Sequence, residues 1–367
     1  MCPFTTSSPG YCRLKATEAG AGATEALWHI HTLLDKDNRL AVSGRVEAVF
    51  DRTLYLSLPV PDGEDNPPLI ALGGPSLRPG PLLVHVDTSP EFSFRNIGMQ
   101  RGTPCDVRRR SSTEIILQFN GGSTVDIDTT MLSLLPASNN GPPLFDVGCF
   151  TPGSPRVTAH RELLQWHSNR QTPDGLGWLN SVSEYHPSAT DPQLKAVISA
   201  FIDLLRSAGS HQSQSDAVDS VGTIDPLPTD IRGPICELVG RGPGATPSGD
   251  DFLAGMLLVL LGVNDVVIRD AARLMGQSLT TVARDRTTNV SQALLKQACL
   301  RRCSRPTSRL LRILTQVDDR PSAEQLRERS LTLVDTGHTS GADTLVGMLA
   351  ATTIVLPSVV QQRRRYR

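Results

Sequence analysis

Two hydrophobic periods divide the chain. Between Leu40 and Ile127, short apolar runs with strand-like alternation are separated by clusters of Gly, Pro, Asn or Asp. The predicted strands cover 41–50, 53–58, 69–72, 82–86, 113–119 and 125–127. From residue 191 onward, apolar residues instead recur at helical spacing. The predicted helices cover 25–34 before the strands, and 158–169, 191–208, 266–282, 291–302, 308–317, 323–334 and 344–356 after them, with a further apolar helix beginning at Phe252.

This pattern predicts an α+β protein. Evenly spaced short strands favour a β-sandwich or a barrel-like domain at residues 38–137, preceded by an N-terminal segment at 1–37. The run Ser-Asn-Asn-Gly-Pro-Pro at 138–143 opens a linker and connecting helix at 138–190. A mainly α-helical domain follows at 191–357, and four arginines mark a basic tail at 358–367.

The helical part contains a glycine-rich loop that leads into an apolar helix. The loop carries glycines at 240, 242 and 244, then Thr246-Pro247-Ser248-Gly249, and two adjacent acids at 250 and 251. Ser248 is a good N-cap residue, and Asp251 has the spacing of a capping box. The N–H groups and dipole of such a helix end favour an anion, and glycines allow positive φ and close approach to a ligand.

A second copy of this pattern lies downstream. The segment Ser340 to Met348 matches Ser248 to Met256 at Ser, Gly, the second Asp, Leu, Gly and Met. Two Ser-Gly-x-Asp loops, each opening an apolar helix, predict that the two helix N-termini meet at one site with Ser248 close to Ser340. The alternative is two well-capped helices whose glycines serve only close packing.

Composition and charge narrow the class of protein. Lys and Arg number 36 against 37 Asp and Glu, a balance that argues against a general nucleic-acid binder. The seven cysteines are scattered and none has zinc-finger spacing, which indicates reduced thiols in a cytoplasmic protein. No signal peptide is apparent, and the longest apolar run is too short to span a membrane.

Three segments resemble the blocks of a known family. The stretch Gly242 to Gly255 is similar to the glycine-rich block of the AllH family, although that family usually has Leu where this chain has Ala245. Thr287-Thr288-Asn289-Val290-Ser291 resembles its second block, and Gly337 to Asp343 resembles its third, where Ala342 often appears as a larger aromatic residue. The family includes the AllH subunit of the oxamate carbamoyltransferase of anaerobic allantoin breakdown.

The resemblance implies transfer of a carbamoyl group between carbamoyl phosphate and a small carboxylate-bearing amide such as oxamate. It also implies sister subunits of an oxamate carbamoyltransferase complex as partners. Such chemistry needs an anion cradle, donors on the carbonyl oxygen and a positioned acceptor nitrogen. The candidate catalytic residues are His338 and Asp250. The candidate substrate-binding residues are Gly242, Gly244, Thr246, Ser248, Gly249, Asn289, Ser291, Thr339, Ser340 and Gly341.

Several of these roles have a structural alternative. His338 is as readily a structural hydrogen-bonding group, and Ser291 is more readily an N-cap of the next helix. Asp251 has a counterpart in Asp343 and so suits a capping role, whereas Asp250 aligns with Ala342 and is the better functional acid. Asp250 would bind the acceptor amide or Mg²⁺ bridging phosphate oxygens; no protein metal site is otherwise predicted. From these roles we expect Asp250→Asn to lower activity with little loss of stability, and Asp251→Ala mainly to destabilise.

Two other functions compete with carbamoyl transfer. The chain could be a non-catalytic regulatory protein that binds a small anion, or another transferase that uses a phosphate or nucleotide. No Lys follows the glycine loop, so the P-loop pattern of nucleotide-binding proteins is missing.

Overall fold

A computed structural model describes residues 11–36, 41–58, 67–111, 114–119, 124–129, 133–134, 196–203, 205, 229–315 and 322–365. The chain divides into two compact units, Met1–Asn140 and Gly141–Arg367. The linker and connecting helix predicted at 138–190 lie outside the described residues.

The first unit is a single sheet that closes on itself. Its strands are β1 (Tyr11–Ala19), β2 (Val42–Val49), β3 (Thr53–Ser57), β4 (Leu69–Gly73), β5 (Leu83–Val86), β6 (Pro104–Ser111), β7 (Glu114–Phe119), β8 (Thr124–Asp128) and β9 (Ser133–Leu134). The order is β5-β4-β3-β2-β6-β7-β8-β1-β9, and β1 also pairs with β5. That last pairing joins the two ends of the sheet into a closed eight-stranded barrel, with β9 lying beside β1.

The sandwich alternative in our prediction is therefore wrong, whereas the α+β layout is correct. Closure depends on β1, which precedes residue 38 and was not among the predicted strands. β1 pairs in parallel with β8, with Leu14 opposite Ile127, and antiparallel with β5, with Ala16 opposite Val86. Without β1 the sheet would keep two open edges, which closure into a barrel removes.

Alternating residues fill the barrel. In β7, Ile115, Leu117 and Phe119 are buried, whereas Gln118 between them is exposed. The predicted helix at 25–34 is confirmed as part of α1 (Ala21–Lys36). Its apolar residues join the barrel core, and these are Ala23, Ala26, Leu27, Ile30 and Leu34.

The second unit is helical in its described residues. Its helices are α2 (Thr229–Leu238), α3 (Ser248–Leu260), α4 (Val266–Arg286), α5 (Asn289–Cys299), α6 (Arg305–Thr315), α7 (Ala323–Val334) and α8 (Ser340–Arg365). Residues 196–203, within the helix predicted at 191–208, are helical as well. No helix in the described part of the chain is long and apolar enough to cross a membrane.

Helices α3 and α8 lie in direct backbone contact. A Cβ on Gly255 of α3 would lie 2.0 Å from the Thr344 carbonyl oxygen, and one on Gly347 of α8 would lie 1.9 Å from that of Phe252. The two contacts correspond, because Gly255 aligns with Gly347 and Phe252 with Thr344 in the repeated motif. The repeat in the sequence is thus a repeat in structure, and its helices cross with equivalent residues against each other.

Candidate functional site

The two Ser-Gly-x-Asp loops meet at the N-termini of α3 and α8. The hydroxyl oxygens of Thr246 and Ser340 are 2.5 Å apart, and Ser340 Oγ donates to Asp251 Oδ2 at 2.5 Å. These bonds join residues that are 94 and 89 positions apart in the chain. The prediction that the two loops lie together is confirmed.

Glycines give the first loop its path. Gly240, Gly242 and Gly244 have φ of 77°, 113° and 99°, values that residues other than glycine rarely adopt. At Gly242 a Cβ would lie 2.9 Å from the backbone nitrogen of Ser248, so the loop folds over the start of α3. Gly244 has open space around it and is exposed, which places it at the outer turn of the loop.

Ser248 does not cap α3, so that prediction is wrong. The helix begins at Ser248 itself, the N-cap position is Pro247, and no side chain caps it. The N–H groups of Asp250 and Asp251 bond to the Pro247 carbonyl at 2.9 and 3.2 Å. Ser248 is buried and packs closely against Gly242.

Asp250 is buried and bonded on both of its oxygens. Its Oδ1 accepts the Gly240 N–H at 2.9 Å. Its Oδ2 accepts the hydroxyl of Ser291 at 2.7 Å and that of Thr287. The pKa of Asp250 is raised, because burial outweighs the three hydrogen bonds that favour the charged form. The carboxylate thereby ties the glycine loop to the start of α5.

Asp251 faces the second loop instead of its own helix end. It accepts the Ser340 hydroxyl, so the predicted capping box with Ser248 is absent. Burial raises its pKa well above the usual range; the Ser340 hydrogen bond opposes this, and the nearby charge of Asp343 adds to it. Asp343 is the equivalent acid of α8 and is buried too.

The segment between α4 and α5 supports the first loop from its other side. Thr288 is the N-cap of α5, accepting the Ser291 N–H at 3.1 Å, so the predicted cap at Ser291 is wrong. The Thr288 hydroxyl donates to the Ala245 carbonyl. Asn289 lies close in sequence but is exposed. Thr287 and Thr288 were not among our candidates, although they belong to the second family-like block, which was the available signal.

The second loop is shorter than the first. It turns at Gly337, whose φ is 70°, and His338 beside it is exposed, whereas Thr339 and Ser340 are half-buried. Gly341 lies so close to α7 that a Cβ there would be 1.8 Å from the Leu333 carbonyl oxygen. A Cβ on Gly249 of the first copy would likewise lie 2.0 Å from the Leu238 carbonyl oxygen at the end of α2.

The glycines at the two helix ends differ from the glycine loop in whether the protein already bonds their backbone N–H groups. The Gly249 N–H is bonded to the Arg241 carbonyl at 2.9 Å, and that of Gly341 to the Thr336 carbonyl at 3.1 Å. Among the described residues, no protein acceptor takes the backbone N–H of Gly242, Gly244 or Thr246. The N–H donors open to a ligand therefore belong to the glycine loop rather than to these two glycines of the helix ends.

The Arg286 cation lies near the glycine loop, and the described residues contain no cluster of metal ligands. The exposed Arg286 guanidinium donates to the Cys236 carbonyl at 2.8 Å, and the backbone of Arg286 packs against Gly240. Within the described ranges, no three His, Cys, Asp or Glu side chains cluster as metal ligands. Both Asp250 oxygens are taken by protein donors, so we assign no Mg²⁺ to them, and a Mg²⁺ requirement stays a prediction.

The site thus gathers most of the predicted residues. The first loop, the α5 start and the α8 start are joined through Asp250 and Asp251. His338 and Asn289 lie on the exposed edges of these segments. Their predicted roles, and those of the other candidate binding residues, stay predictions.

Comparison with known proteins gives one match. Residues 238–352 match the family model described as oxamate carbamoyltransferase subunit AllH. No curated protein and no solved structure matches the chain. The matched segment begins at the end of α2 and includes both loops, the α5 start, and the crossing of α3 with α8. The resemblance to the AllH family is confirmed for residues 238–352 of this chain.

Proposed function

We propose that this protein is a subunit of a carbamoyltransferase of the oxamate type and that its two loops form one binding site for carbamoyl phosphate. The observation that carries the proposal is the contact of Thr246 with Ser340, which joins two separate family-like blocks in one place. The matched family's description, a subunit of oxamate carbamoyltransferase, supports the reaction class and a complex with sister subunits.

The glycine loop suits the phosphate group. The N–H groups of Gly242, Gly244 and Thr246 supply neutral donors, and the N-terminal ends of α3 and α8 supply positive dipole ends. The Thr246 and Ser340 hydroxyls join the two loops, and both residues are half-buried. Such fixed donors stabilise charge that develops on phosphate as it leaves.

The transfer itself needs a positioned acceptor and a proton acceptor. The acceptor amide nitrogen attacks the carbonyl carbon of carbamoyl phosphate, the bond from that carbon to the phosphate oxygen breaks, and the nitrogen loses a proton. His338 on the exposed edge of the second loop is our candidate for accepting that proton. Asn289 is a candidate donor to the acceptor carboxylate. Asp250 acts as a positioning residue, because its carboxylate holds Gly240, Thr287 and Ser291.

The direct test is phosphate release from carbamoyl phosphate, measured across a panel of small amides and amines that includes oxamate. The protein is assayed alone and with the sister subunits of such a complex. We expect amide-dependent release that Thr246→Val and Ser340→Ala lower more than tenfold. Thr281→Val on the exposed face of α4 is the matched control and should keep full activity. Absence of release with the sister subunits present would overturn the proposal.

A second candidate is a non-catalytic subunit that binds a small anion. The burial of Asp250 and Asp251 favours this candidate, because both carboxylates are hydrogen-bonded within the protein. In that case carbamoyl phosphate or phosphate binds, and His338→Ala leaves the activity of the assembled complex unchanged. A large loss of turnover in His338→Ala with unchanged binding favours the catalytic role.

A further inference from the structure

A chain of three side chains runs from the interior of the helical unit to the glycine loop. Asp251 lies buried on α3, and Ser340 at the start of α8 and Thr246 in the glycine loop are both half-buried. Ser340 Oγ lies 2.5 Å from Asp251 Oδ2 and 2.5 Å from Thr246 Oγ1. The chain therefore connects a buried acid with a half-buried hydroxyl of the glycine loop, where we propose that the anion binds.

The direction of these hydrogen bonds depends on the proton of Asp251, because each hydroxyl has only one hydrogen to give. When Asp251 is ionised, Ser340 donates its hydrogen to the carboxylate. Thr246 then donates its own hydrogen inward, toward Ser340 and Asp251. Thr246 then presents only lone pairs to the loop surface, and these repel an anion. When Asp251 carries a proton, its O–H donates to Ser340, Ser340 donates to Thr246, and the Thr246 hydrogen points outward.

We propose that Asp251 is a positioning residue whose protonation turns the Thr246 hydroxyl into a donor for the bound anion, so that anion binding takes up a proton. The inference rests on the proposed anion site between the loops. The proton comes from solvent and forms the O–H bond of Asp251. The two hydroxyls only reverse their hydrogen bonds, and no bond between heavy atoms changes.

The surroundings of Asp251 favour the protonated form. Burial raises its pKa, and the carboxylates of Asp343 on α8 and Asp250 on α3 raise it further, while the hydrogen bonds from Ser340 and Thr246 oppose that change. A bound anion adds a further negative charge at the other end of the chain. Anion binding and protonation of Asp251 should therefore strengthen each other, as linkage requires.

The test is calorimetric titration with sulfate, which does not titrate near neutral pH, in two buffers of different ionisation enthalpy. The difference in heat between the buffers gives the number of protons taken up per sulfate bound. We expect wild type to take up as much as one proton, with affinity falling up to tenfold per pH unit once Asp251 is ionised. Asp251→Asn keeps a donor toward Ser340, so it should bind sulfate without proton uptake and with pH-independent affinity.

Further variants separate the chain from general effects on the fold. Thr246→Ser should keep both binding and proton uptake, whereas Thr246→Val should weaken binding more than tenfold. Ser340→Ala removes the hydroxyl between Asp251 and Thr246 and leaves only the direct hydrogen bond of Thr246 to Asp251, so it should lower proton uptake. This variant keeps the role of Asp251 testable if Asp251→Asn fails to fold. Thr281→Val on α4 should behave as wild type.

The outcomes distinguish the two proposals. Sulfate binding without proton uptake, or equal uptake in wild type and Asp251→Asn, overturns the role of Asp251 and leaves the anion site standing. Absence of sulfate binding by wild type overturns the anion site and the role of Asp251 together.

Discussion

Substituting Gly347 by Ala should separate the two helices that carry the site. The added Cβ would lie 1.9 Å from the Phe252 carbonyl oxygen, whereas ordinary contact begins at about 3.4 Å. The obstacle is backbone on both sides, so α3 and α8 must move apart by roughly 1.5 Å. Overpacking of this kind costs about 3 kcal/mol at the upper end of its usual range. The better helix propensity of Ala returns about 1 kcal/mol, which leaves a net loss of about 2 kcal/mol.

Urea denaturation followed by circular dichroism measures this loss, and a fall of about 4–8 °C in melting temperature should accompany it. Gly255→Ala at the equivalent position should behave alike. Gly276→Ala on α4 is the matched control, because its nearest neighbour is the Cys299 sulfur at 3.0 Å, a side-chain atom that can shift. We expect little change there. If Gly347→Ala is as stable as Gly276→Ala, the close crossing of α3 and α8 is refuted.

Three further predictions concern the side chains of the site. Asp250→Asn should lose about 2 kcal/mol of unfolding free energy in urea, because an amide cannot accept all three hydrogen bonds and leaves buried donors unpaired; an unchanged midpoint would contradict this. For Asp251, the raised pKa means that the folded state binds more protons than the unfolded state above pH 3.8, so stability should fall as the pH rises from there through the raised pKa. Denaturation at a series of pH values should show a shallower fall for Asp251→Asn, and equal slopes would count against the assignment. Thr288→Val should cost about 1 kcal/mol through loss of the α5 cap and should also speed proteolysis of the glycine loop, whereas Thr281→Val should do neither.

The sequence predicted local helices and strands better than it predicted which strands pair across the sheet. The predicted helix in the α4 region was confirmed because its apolar spacing is strong, and α4 begins at Val266. β1 was not predicted, although Arg13, Leu14, Lys15 and Ala16 alternate between exposed and buried positions. Whether a row of strands forms a sandwich or a barrel depends on which edges pair, and that partner choice has no local signal.

The same limit applies to the site. The repeated Ser-Gly-x-Asp pattern predicted correctly that two helix ends meet, because equivalent motifs fold alike. It assigned the hydrogen bonds of Asp251 wrongly, because a capping box uses a local partner whereas the actual partner, Ser340, lies 89 residues away. Asp250 lacks an equivalent in the second copy, and its three hydrogen bonds explain why: it anchors the long glycine loop, which the second copy does not have. The sequence-based expectation that Asp250→Asn spares stability is reversed for that reason.

The central claim is that the two loops form one anion site. Hydrogen exchange measured by mass spectrometry during titration with carbamoyl phosphate tests it most directly, because the peptides covering 240–247 and 335–341 are followed separately. We predict that both peptides become protected with the same concentration dependence, while peptides from the barrel unit do not change. Protection of one loop alone, or of neither loop at saturating ligand, would contradict the account.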